Sequence, residues 1–147
     1  MHFTELDTPG LVVDLDVLEK NIRDLQAECD RIGIPLRTHT KTHRTPQIAR
    51  MQIAAGAIGI VCQKLGDAEV MAAAGIPDIL IPYNIVGKPK RERLTRLIRG
   101  SKTTLTVAAD SAATVEGLSA QAVRDDCRIR GIVEMDTGGH RCGTQSP

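Results

Sequence analysis

The sequence predicts an α/β chain organised around a parallel sheet or barrel. Two observations carry this. Short apolar runs of strand length alternate with longer segments of helical periodicity along the 147 residues. The runs at 57–62, 78–81 and 103–109 lack a regular polar-out alternation, the pattern of strands covered on both faces by helices. A chain of this length can bury a sizeable core within one ordinary domain.

Each element has its own justification. Leu11-Val12-Val13, after Pro9-Gly10, reads as a short β-rich run. Asp16 with Glu19 resembles a capping box opening the first helix. Leu15, Leu18, Ile22, Leu25, Cys29 and Ile32 then recur at spacings of three and four, giving one apolar stripe that Gly33 stops. The extended stretch Leu36-Arg37-Thr38-His39-Thr40-Lys41-Thr42-His43-Arg44 lies between two helices and reads as a strand with a lysine at its carboxyl end. Strand alternation places Arg37, His39 and Lys41 on one face and Leu36, Thr38 and Thr40 on the other. Thr45 as N-cap and Pro46 at the first helical position open a helix that runs to about Gly56.

The strand at 57–62 follows, then an alanine-rich helix at 65–74 closed by Gly75. After the strand at 78–81 comes a basic helix at 90–99, ending at Gly100. The strand at 103–109 leads to a helix capped by Ser111 and carrying Val115 and Leu118. A last strand at 128–135 runs into Asp136-Thr137-Gly138-Gly139.

Composition narrows the function classes. Basic and acidic residues balance, 19 against 18, which argues against nucleic acid or an anionic membrane as partner. Phe3 and Tyr83 are the only aromatics, with no Trp, which argues against base stacking. Cys29, Cys62, Cys127 and Cys142 have no C-x-x-C spacing and read as reduced thiols of a cytoplasmic protein. The polar, acidic start is not a signal peptide. The apolar stretch at 70–86 is interrupted by Pro77, Asp78 and Pro82, so it does not span a membrane.

In parallel α/β folds the working residues sit at the carboxyl ends of strands. That rule selects Lys41, Gln63-Lys64, Pro82-Tyr83-Asn84, Asp110 and the loop 136–143. Lys41, buried at a barrel mouth beside His39 and Arg37, would have its pKa lowered by desolvation and like charge, so that a neutral amine could attack a carbonyl. The plain alternative is a solvated strand edge. Lys64 is the rival amine, or a surface lysine; Asp110 either assists the cap at Ser111 or meets a ligand. Arg141, on a loop with glycines at 138, 139 and 143, is a cation suited to an anionic oxygen. His39-x-x-x-His43 and His140-x-Cys142 have chelating spacing but no evident further ligands, and no metal site is assigned to them. No phosphate-binding loop, dinucleotide fingerprint or G-x-S-x-G motif is present.

The run 37–43 and the segment Asp136-Thr137-Gly138-Gly139-His140-Arg141-Cys142-Gly143 together resemble the fold-type III pyridoxal-phosphate enzymes, which share the alanine-racemase N-terminal barrel. Within these the chain is most similar to the D-threonine aldolase and D-serine dehydratase family. Asp7-Thr8-Pro9-Gly10-Leu11-Val12-Val13-Asp14-Leu15-Asp16 and Lys64-Leu65-Gly66-Asp67-Ala68-Glu69-Val70-Met71 extend the resemblance over essentially the whole chain. The family usually has proline where Thr38 stands and lysine where Arg44 stands, and Thr137 after Asp136 is also racemase-like.

The resemblance implies the N-terminal part of a (β/α)8 TIM-type barrel. It implies pyridoxal 5'-phosphate, held as a Schiff base by Lys41 and contacted at its ring oxygen by Arg141. His39, Gln63 and Tyr83 complete the expected cofactor-binding set. It further implies a lyase acting on small D-3-hydroxy amino acids and a homodimer in full-length form. A barrel of this type takes ~250 residues, so the expectation is a partial barrel, truncated before its second half. The missing part would include a C-terminal β-domain carrying the divalent-metal ligands and a catalytic base, and residues 1–147 alone would be inactive. An amino-acid racemase and a non-catalytic pyridoxal-phosphate-binding homeostasis protein are the alternatives on the same barrel.

Overall fold

The structure is a computed structural model that describes residues 2–145. Five strands, β1 (Arg37–His39), β2 (Gly59–Val61), β3 (Asp78–Ile81), β4 (Thr104–Ala109) and β5 (Arg130–Val133), form one sheet in sequence order. Every neighbouring pair is parallel. Helices α1 (Leu15–Arg31), α2 (Pro46–Ala54), α3 (Leu65–Ala73), α4 (Lys88–Gly100) and α5 (Ala112–Arg124) each precede a strand. This is the (β/α) barrel order expected from the alternating pattern, with β1 and β5 as edges among the described residues.

Register divides the sheet into two faces. Thr38, Ile60, Ile79 and Leu105 lie side by side across four strands and are buried against the helices. Ile81 and Val107 extend the same face one layer higher, joined by Leu65, Met71 and Leu94 from the helical layer and by Ile76 from the loop after α3. Full burial of each such aliphatic side chain contributes about 1.5–3 kcal/mol. The other face carries Arg37, His39, Val61 and Leu80, all only half-buried. Thr38 and Thr40, both buried, satisfy their hydroxyls, Thr38 donating to Gln52 Oε1 and Thr40 to the Val61 carbonyl, each at 3.0 Å.

Several expectations need correction. The run 11–13 pairs with no strand among the described residues; Leu11 stands fully exposed at 103%. Its β-propensity cannot act without a neighbouring ladder. Helix α1 is capped by Asp14, whose carboxylate accepts the Val17 N–H at 3.1 Å, and not by the Asp16 and Glu19 pair. Strand β1 ends at His39; Thr40–Thr42 form a 3-10 turn, so Lys41 is not a strand residue. Thr45 holds the predicted N-cap position but turns its hydroxyl back to the His43 carbonyl at 2.7 Å. Helix α4 starts at Lys88, two residues earlier than its charge pattern suggested. The last strand is shorter than the apolar run, and all four of its residues are exposed, so it is not covered on both faces.

Candidate active site

The carboxyl ends of β1, β3 and β5 meet in a cleft of about 320 Å³. His39, Lys41, Tyr83 and Arg141 line it, with Glu134 and Asp136 from the β5 end. Larger hollows exist, one of about 630 Å³ between α4 and α5 and an apolar one of about 500 Å³ beside β5. Neither gathers an amine with an anion-binding group at the strand ends; a third, of about 360 Å³, holds Lys64, Lys90 and Arg93, but the Arg93 guanidinium there is taken by Glu69.

Lys41 reaches the cleft from the 3-10 turn that follows β1. The turn is pinned on both sides. Before it, His39 Nδ1 accepts the Lys41 backbone N–H at 3.2 Å, while the buried Thr40 hydroxyl ties the turn to β2. After it, His43 Nδ1 accepts the Thr45 N–H at 3.0 Å. Both imidazoles are held below their ordinary pKa. Burial is the main cause for each; the Lys41 charge adds to it at His39, where Asp67 pulls the other way. A neutral His39 with Nδ1 as acceptor carries its proton on Nε2.

Arg141 comes from the loop after β5, and its Nη2 donates to the Tyr83 hydroxyl of the β3 loop at 3.2 Å. The bond spans the intervening strand β4 and fixes the far wall of the cleft. Asp136 organises that loop: its Oδ1 accepts the N–H groups of Gly138 and His140 at 2.9 and 3.0 Å, which hold its carboxyl below the usual carboxylate range.

The structure therefore brings together His39, Lys41, Tyr83 and Arg141 of the expected set. Gln63 is not with them. It lines a neighbouring hollow of about 360 Å³ with Lys64, Lys90 and Arg93, sharing only Tyr83 with the amine cleft. Arg37 is not beside the amine either. Its guanidinium is turned toward the start of β3, where it donates to Asp78. Lys41 itself is exposed, in contrast to the burial expected at a barrel mouth. The contacts of Asp136 and the influence of the Asp67 charge on His39 escaped the sequence reading; for Asp136 the Asp-x-Gly spacing of a side-chain-capped turn was the available signal. Among the described residues no three of His, Cys, Asp and Glu gather as a metal-binding cluster. Nor is any helix among them long and apolar enough to cross a membrane.

A parallel sheet that presents an amine, an arginine and a tyrosine at its strand ends defines a (β/α) barrel domain with its ligand face on that rim. The chain belongs to the alanine racemase N-terminal domain family, whose profile matches residues 13–147. It is 43% identical over 138 residues to the D-threonine aldolase of Arthrobacter sp, covering 94% of this chain and 36% of that protein. It is 37% identical over 138 residues to the D-threo-3-hydroxyaspartate dehydratase of Delftia sp. (strain HT23), covering 94% and 36%. The crystal structure of D-threonine aldolase from Filomicrobium marinum matches with a TM-score of 0.93 at 36% identity, covering 99% of this chain and 39% of that one. The chain thus spans little more than a third of the length of these relatives, and the family resemblance read from its motifs is borne out.

Proposed function

We propose that this chain is the amine-bearing part of a pyridoxal-phosphate-dependent lyase acting on D-3-hydroxy amino acids. The observation that carries the reading is the single cleft shared by the Lys41 amine and the Arg141 guanidinium at the strand carboxyl ends. The similarity to both aldolases and a dehydratase supports the lyase class rather than either reaction within it. The metal and catalytic base implied by the resemblance, the homodimer and the cytoplasmic setting belong to the same proposal.

The donor set suits such a cofactor: a primary amine for an aldehyde, and a cation opposite it for an anionic ring oxygen. When bound, pyridoxal phosphate supplies the carbonyl that an amine can capture and the electron sink that lyase chemistry needs. The chain's own residues do the rest of the local work. Lys41 offers its amine from a turn that His39 and Thr40 immobilise. Arg141 presents guanidinium N–H donors, of which only one is used by the bond to Tyr83. His39, neutral and donating from Nε2, adds a polar edge without a second positive charge beside the amine.

The test is to incubate the 147-residue chain with pyridoxal phosphate, reduce with borohydride and map the labelled peptide. The label is expected on Lys41, lost in Lys41→Ala and retained in Lys64→Ala. A label on Lys64 would sink the assignment. Lyase activity is tested on the protein in its full-length context, by glycine or ammonia release from D-3-hydroxy amino acids.

A further inference from the structure

We infer that Asp136 is a positioning residue: it folds the loop 136–143 and thereby holds the Arg141 guanidinium against Tyr83 at the amine cleft. The inference rests on the role proposed above for Arg141 but is carried by different observations. The Asp136 side chain is only 5% exposed, covered by its own loop. Oδ1 accepts the backbone N–H groups of Gly138 and His140. Oδ2 lies 3.5 Å from His140 Nδ1 and accepts from Gln145 Nε2 at 3.4 Å. Both oxygens are thus engaged inside the loop, which is why Asp136 acts through Arg141 rather than on a ligand.

The backbone closes around the same residue. The Asp136 N–H donates to the Thr144 carbonyl, and the Thr144 N–H to the Glu134 carbonyl, each at 2.9 Å. Gly138, His140 and Gly143 all have positive φ, at 118°, 48° and 98°. A Cβ at Gly143 would lie 2.6 Å from the Asp136 nitrogen, so the loop ends are pressed together at the residue whose carboxylate holds the middle. Arg141 follows His140, the second N–H donor to that carboxylate. Its direction is set by a backbone in a conformation that nonglycine residues rarely adopt, and the carboxylate is what holds it there.

Tyr83 is the only tyrosine, and there is no tryptophan. A 3-fluorotyrosine label therefore gives one fluorine resonance that reports the Arg141 contact. Asp136→Ala is expected to move that resonance to the position seen in Arg141→Ala, with unchanged far-ultraviolet circular dichroism. It is also expected to weaken binding of pyridoxal phosphate by roughly tenfold or more, as Arg141→Ala does. Asp136→Asn keeps an amide oxygen that can accept both N–H bonds, and is expected to restore the wild-type resonance. A wild-type resonance in Asp136→Ala would overturn the proposal, as would an asparagine variant that behaves like Arg141→Ala. Should the alanine variant not fold, the asparagine variant decides alone by keeping or losing the wild-type signal. If Arg141→Ala leaves pyridoxal phosphate binding intact while Asp136→Ala still moves the resonance, the positioning stands and the role of Arg141 falls.

Discussion

Arg37 on β1 donates from Nη1 to Asp78 Oδ1 on β3 at 2.7 Å, reaching across the strand between them. It can do so because Gly59 stands in that row of β2. A Cβ there would fall 2.3 Å from Arg37 Nη1 and 2.9 Å from the Asp78 carbonyl oxygen. The pair sits at the starts of the strands, the end away from Lys41, and satisfies two opposite charges that are each about a quarter exposed, 25% and 28%. Gly59→Ala is therefore expected to destabilise the fold by about 1–3 kcal/mol, the usual cost of forcing extra atoms into a filled space. The urea midpoint measures it; an unchanged midpoint would mean the strands part at no cost.

Thr40 tests the link between the core and the amine. Its side chain is 1% exposed, and its hydroxyl is donated to the Val61 carbonyl. Thr40→Val preserves shape but removes the donor, and should cost about 1–3 kcal/mol. Because the turn carrying Lys41 is anchored there, borohydride trapping of Lys41 should also slow relative to wild type. Stability loss with unaltered trapping would show that His39 and His43 hold the turn without it.

The pH dependence has a definite sign. His39, His43 and Asp136 all have folded pKa values below their ordinary ones. In each case the unfolded chain binds protons more readily, so the stabilisation is complete above the unfolded pKa and is lost as pH falls through the folded one. The histidine contribution is expected to fade below about pH 6.5, and the Asp136 contribution only below about 3.9. Denaturation midpoints measured from pH 8 downward should decline in that order, and His43→Asn should shrink the first step. A midpoint that rises on mild acidification would contradict this assignment.

The exposed apolar surface predicts self-association of the 147-residue chain purified by itself. Among the described residues strand β5 is an edge, with Ile132 and Val133 exposed at 45% and 72%, and Leu25 of α1 and Ile32 just after it are exposed at 52% and 47%. Light scattering should give a mass above one chain, and Val133→Lys should lower it. The same preparation is expected to release no glycine from D-threonine with pyridoxal phosphate and a divalent metal. A monomer with turnover would refute both expectations.

Much was legible in the sequence for local reasons. Apolar runs of strand length fixed the order of the strands, and glycines or caps at 33, 45, 75 and 111 marked helix ends that the structure keeps. Parity put Arg37, His39 and Lys41 on one face and Leu36, Thr38 and Thr40 on the other; it holds over Arg37–His39, because alternation is a property of the extended backbone, and lapses where the 3-10 turn begins at Thr40. The rule of strand carboxyl ends selects Lys41, Tyr83 and Arg141 from their places in the chain alone. It also selected Gln63, which faces a different hollow.

What the sequence could not determine is everything decided by distance through space. The position of Arg37 in its strand gave no hint that a glycine on one neighbour and an aspartate on the next would draw its charge away from Lys41. Tyr83 and Arg141 are separated by 58 positions, and only the parallel register brings their loops together over β4. The β-rich run at 11–13 is not a strand, because a strand is a relation between two segments and that run has no partner among the described residues. The chain by itself determined the order and kind of its elements and the amine and cation available at their ends. Tertiary structure decided which of those groups share a cleft, because side-chain charge is placed by register, loop closure and the room a glycine leaves.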